Sequence, residues 1–145
     1  MNTRNHLSEA ADAIQRRIHT PEALDLIERA VARGDARELA SGVVAAERRL
    51  CTSDEDAVER AMQDLEALAN LSKPTGCALM ACLWPLVDEL YLHAESDSID
   101  LWIWNCDSDK LTGYLKQIAL SEKDADCRRH MEAIIKDRES KHGRG

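Results

Sequence analysis

Cysteine and histidine come first, because thiolates and imidazoles bind metals and act as nucleophiles and bases. Cys127 and His130 stand three positions apart, which puts both on one side of a helix. A structural zinc site needs four ligands, and no second pair follows at zinc spacing. The pair therefore reads as a buried thiol beside a helix-surface imidazole. Cys82 and His93 lie in one apolar helix pattern, but at helical rise they are about 16 Å apart. Asp107-x-Asp109 lacks the glycine and the distant glutamate of a calcium loop, and reads as a helix N-cap. There is no G-x-S-x-G, no Walker A sequence and no G-x-G-x-x-G. We expect no catalytic residue, no metal ligand and no cofactor, and hence no enzyme. Nothing in the sequence identifies a reaction or a small-molecule ligand.

One constellation stands out. From Pro74 to Asp109 there are 36 residues without a Lys or Arg, carrying the acids Asp88, Glu89, Glu95, Asp97, Asp100, Asp107 and Asp109. All three Trp lie in the same stretch. On a helix, Ile99, Trp102, Ile103 and Cys106 form one stripe, and Trp104 falls on the other side with Asp100 and Leu101. A strand would also part Trp104 from Ile99 and Ile103. A Trp among carboxylates matches the composition of interface anchors, and the acids would steer a basic partner. Cover by a second neighbouring helix would instead make Trp104 core, and the pattern leaves both readings open.

The expected function follows from that surface. Trp104 and Leu101 bury in a partner's cleft, and Asp97, Asp100, Asp107 and Asp109 pair with its Lys or Arg. The partner is a protein with a basic cleft, such as a toxin or an enzyme. In size, acidity and lack of catalytic motifs the chain resembles many immunity proteins and antitoxins, small inhibitors that occlude a partner. That likeness is one of composition, not of motif. The alternative is a helical bundle binding a small molecule in a pocket lined by Trp84, Tyr91, Trp102 and Tyr114. A homo-oligomer fits either reading, with the acidic face of one copy on the basic C-terminal helix of another.

The elements that would position these residues are helical. The chain has twenty Ala and seventeen Leu against five Val and no Phe, a composition that favours helix over strand. Leu7, Ala10, Ala11, Ile14 and Ile18 make the first helix face. Thr20-Pro21 is an N-cap and first-turn proline, and the second helix stops at Gly34. Asp35 and Glu38 have capping-box spacing and open a third. Thr52 to Asp56 starts a fourth, through Val58, Met62, Leu65, Leu68 and Leu71. Ser72 to Gly76 reads as a linker that could divide the domain near 72–76. The segment 76–94 is the most apolar and reads as a central helix, kinked or split at Pro85. Polar Glu95 to Ser98 then interrupts. Helix is favoured over strand for 98–106, because no second strand candidate exists to pair with it. Leu111 to Ile118 and 121–140 complete the set, and the tail 141–145 is expected to fray. The expectation is all-α: one domain, 1–145, of about six or seven helices packed around the 76–94 helix.

Bulk properties narrow the class. The 145 residues are 44% hydrophobic, enough for one sizeable core. The net charge of -8 argues against nucleic acid as a partner. From Lys123 onward seven basic residues alternate with five acids, the pattern of a solvated helix face. The longest uncharged apolar run, Cys77 to Val87, has eleven residues, too short for a membrane span of about 20. Five cysteines, an odd number without C-x-x-C, read as reduced buried thiols. With no apolar leader at the N-terminus, a cytoplasmic protein without membrane association is expected.

Overall fold

The structure is a computed structural model describing the backbone of residues 3–142 and the side chains of residues 6–141. Nine helices and no strand occur among the described residues: α1 (Thr3–Arg16), α2 (Pro21–Ala32), α3 (Ala36–Arg48), α4 (Asp54–Ala69), α5 (Lys73–Ala81), α6 (Trp84–Glu89), α7 (His93–Trp104), α8 (Asp109–Ser121) and α9 (Ala125–His142). The all-α expectation holds, and 98–106 is helix up to Trp104. No described helix is long and apolar enough to cross a membrane.

The early helices form where the caps and periodicity place them. Thr20 Oγ1 accepts from the Ala23 N–H at 3.1 Å, and Ser53 Oγ accepts from the Asp56 N–H at 3.1 Å. The capping box at Asp35 does not form: its side chain makes no cap hydrogen bond and pairs with Arg33 instead. Nor do Asp107 and Asp109 cap α8, where Ser108 Oγ accepts from the Lys110 N–H.

The expected 76–94 helix is three pieces. Pro85 has no N–H to donate, and its ring collides with the carbonyl four residues back, at Ala81, where α5 ends. The chain restarts as α6, with the proline in its first turn. α6 in turn closes at Tyr91, whose φ is +56°. The Leu92 N–H donates to Val87 O at 2.8 Å and the Tyr91 N–H to Asp88 O at 3.2 Å, a Schellman closure without glycine. The polar residues 95–98, expected to interrupt, lie inside α7 because the break has already occurred at Tyr91. Arg17, φ +56°, ends α1 in the same way, one residue short of Ile18. The split at Pro85 adds one helix to the set, and the described residues form nine where about six or seven were expected.

The Ser72–Gly76 linker is instead the entry of the most buried helix. Thr75 to Ala81 of α5 are all buried, and α5 packs on α2, α3, α4, α7 and α8. Gly76 permits this. A Cβ there would lie 2.5 Å from Ala69 Cβ and 2.6 Å from its Cα. Only hydrogen at that position lets α5 touch the end of α4. One continuous apolar cluster runs from Ala10 to Ile135 through both sides of residues 72–76. At the far end, Lys141 and His142 continue α9 instead of fraying, and 143–145 lie outside the described residues.

Candidate functional site: the groove between α7 and α9

α7 buries Ile99 and Ile103 and leaves Leu101 61% and Trp104 57% exposed. Trp104 is therefore surface, not core. It borders a groove of about 500 Å³ between α7 and α9. From α7 come Asp97, Asp100, Leu101, Ile103 and Trp104, and from α9 His130, Ala133, Ile134, Asp137, Arg138 and Lys141. Both sets follow helical spacing, so each is one face of its helix. Buried Ile103 and half-buried Ile134 form the apolar floor, while Asp97 and Asp137 stand exposed on the rims.

Two polar clamps hold the walls. His130 Nε2 lies 3.0 Å from Asp100 Oδ1, and the His130 ring meets buried Trp84 edge-on, centroids 4.8 Å apart. At the other end Arg138 is only 5% exposed. Its Nη1 donates to Ile103 O at 2.9 Å and Cys106 O at 2.7 Å, its Nη2 to Ser108 O at 2.9 Å and its Nε to Thr112 Oγ1 at 3.0 Å. The guanidinium thus satisfies carbonyls at the C-terminal end of α7, where the helix dipole also favours a cation. Lys141 Nζ sits 4.7 Å from the centre of the Trp104 ring, a cation–π contact across the mouth of the groove.

Four of the six expected partner-binding residues meet here: Trp104, Leu101, Asp97 and Asp100. Asp107 and Asp109 are exposed beyond the end of α7 and do not line the groove. The α9 wall was missed, although 130, 133, 134, 137, 138 and 141 form a visible stripe. Its interleaved charges look like an ordinary solvated face.

The aromatic set expected for a small-molecule pocket does not line this groove. Trp84 is core, Tyr91 is 78% exposed, and Trp102 is half-buried with Nε1 donating to Glu66 Oε2 at 3.0 Å. Tyr114 is half-buried on α8. Cys127 and His130 do not act together: Cys127 Sγ contacts Asp88, and His130 pairs with Asp100. No cluster of three or more metal-ligating side chains occurs among the described residues. No family model, curated protein or solved structure matches this chain.

Proposed function

We infer that the protein is an acidic protein-binding module whose α7–α9 groove takes a basic segment of a partner and occludes it, as an inhibitor of the immunity-protein or antitoxin type would. The observation that carries this reading is the exposure of Trp104 and Leu101 side by side at the mouth of an apolar groove. A large aromatic left in water gains most from burial in a partner, and Trp dominates such contacts. Asp97, Asp100 and Asp137 supply the charge that orients a basic segment. Lys141 over Trp104 is the intramolecular counterpart of that contact. A partner's Lys or Arg takes its place, and Lys141 swings into solvent.

The test is capture from host lysate, identification by mass spectrometry, and titration of the purified partner with wild type and Trp104→Ala. Truncation should weaken binding by about 2 kcal/mol or more, roughly thirtyfold. Added salt should mainly slow association. Unchanged affinity in Trp104→Ala overturns the reading. The size of the groove supports a second one, an apolar small molecule in the same place, because such pockets run to about 300–1,000 Å³. That reading requires thermal stabilisation by a compound and no captured protein.

A further inference from the structure

The charge of the chain is sorted between two surfaces. Helices α1 and α3 both end on two arginines followed by an aliphatic residue, Arg16-Arg17-Ile18 and Arg48-Arg49-Leu50. The two ends lie together. Short turns reverse the chain before and after α2, which packs on both neighbours, so α1 and α3 run in the same direction. They meet where Gly42 faces Ala11: a Cβ at position 42 would lie 2.9 Å from Ala11 Cβ. Counted forward from that contact at equal rise, Arg16 to Ile18 come level with Glu47 to Arg49. All six residues of the two motifs are exposed, Ile18 at 41% and Leu50 at 68%.

The arginines at this end are loosely held. Arg16 faces Asp12 at 3.7 Å and Arg48 faces Asp54 at 3.1 Å, and both pairs stand in solvent, so exchanging the acid costs little. Arg17 reaches Asp64 with half of its side chain exposed. Arg49 makes no ion pair among the described residues. Neither α1 nor α3 contributes to the α7–α9 groove. A copy of the chain therefore cannot place this end in its own groove.

We propose that the α7–α9 groove also takes the Arg48-Arg49-Leu50 end of a second copy of this chain, with Arg16-Arg17-Ile18 beside it at the rim, so that copies join head to tail. The proposal rests on the reading of that groove as a docking surface for a basic segment. The match is one of charge and of apolar surface. Leu50 meets Leu101 and the floor of Ile103 and Ile134, while Arg49 takes the place of Lys141 over the Trp104 ring. Arg48 and Arg16 face the carboxylates of Asp97, Asp100 and Asp137. Arg and Trp are also the residues in which interface energy concentrates, and such residues pair across the contact. The net charge of -8 turns away nucleic acid and anionic lipid, and between two copies it keeps the contact weak and dependent on concentration. Because the contact uses different patches on the two copies, each pair retains one free groove and one free end and can grow.

Sedimentation velocity of the purified protein at low salt is the test. The weight-average mass should rise with concentration past that of a dimer and fall as salt is added. Arg49→Glu leaves the groove intact, and Trp104→Ala leaves the basic end intact. Each should weaken self-association by about tenfold or more. Mixed in equal amounts, the two variants should pair again, one to one and no further, because each such pair has one working groove and one working end. Both positions are exposed, and circular dichroism checks that both variants keep the wild-type helix content. Wild type that stays monomeric throughout, whether or not it binds phosphatidylserine vesicles, overturns the proposal. So does self-association that survives either substitution, and so does a mixture that fails to pair. The groove reading itself is judged separately, by the response of a captured partner to Trp104→Ala.

Discussion

Asp64 offers the sharpest test of the energetics. It lies on α4, 3% exposed, against Glu47 of α3, also 3% exposed. Each acid has one buried oxygen without a donor, Asp64 Oδ2 and Glu47 Oε1. Arg17 Nε reaches Asp64 Oδ1 at 3.2 Å, but its side chain is half in solvent. Burial, and then the hydrogen bond and charge of Glu47, raise the Asp64 carboxyl from 3.8 to about 8, with Arg17 opposing. At neutral pH the folded protein therefore holds a proton that the unfolded chain has released. Because the folded value is the higher one, stability is full below pH 3.8 and is lost as pH rises towards 8. The slope is about -1.4 kcal/mol per pH unit for one proton. From pH 5.5 to 7.5 this group alone should remove roughly 2 kcal/mol, a large share of the stability of a domain this size. Asp64→Asn imitates the protonated acid: the amide can donate to Glu47, and the half-exposed Arg17 contact is worth no more than about 1 kcal/mol. Urea denaturation at both pH values is the assay. Wild type should lose stability across the interval, while Asp64→Asn should lose roughly 2 kcal/mol less. Parallel pH profiles for the two proteins would mean that Asp64 is ionised in the fold, with Arg17 as its counterion, and would refute the reasoning.

Three further perturbations follow from the packing. Arg138→Lys keeps the charge but loses the fork that serves Ile103 O, Cys106 O, Ser108 O and Thr112 Oγ1, so denaturant titration should show a loss of about 3 kcal/mol. Gly76→Ala pushes a methyl into Ala69 backbone at 2.6 Å, and the thermal midpoint should fall by the equivalent of about 2 kcal/mol. Trp104 is exposed while Trp84 is 1% exposed, so acrylamide should quench one red-shifted component. Trp104→Ala should remove that component and change stability by no more than about 0.5 kcal/mol.

Several features of this protein were legible in the pattern of residues alone. Ala- and Leu-rich periodicity forces helix, because each segment can bury its apolar stripe only in that conformation. Thr20-Pro21 and Ser53 mark their helix starts through contacts within four residues. Pro85 breaks its helix whatever surrounds it. The placement of Trp104 off the Ile99/Ile103 stripe is likewise local, since it depends only on the turn per residue. The acids Glu47 and Asp64 also sit at helical spacing from apolar core residues, Ala36, Ala40 and Val43 with one, Ala57, Ala61 and Leu68 with the other. Their burial could be read, but not their meeting.

The tertiary structure decided whatever depends on two elements touching. Arg17 and Tyr91 adopt positive φ without being glycine, a strain that packing sustains and that no residue type announces. Ser72 to Gly76 has the composition of a linker, yet it enters the core because a missing Cβ matters only when α4 lies against it. Whether Trp104 met solvent or a neighbour rested on where α9 runs, and α9 passes beside it, close enough for Lys141 to cover part of the ring. The groove and the Arg138 clamp each join residues far apart in the chain. Periodicity states which face of a helix seeks cover, but the partner of that face is selected by the free energy of the whole packed core.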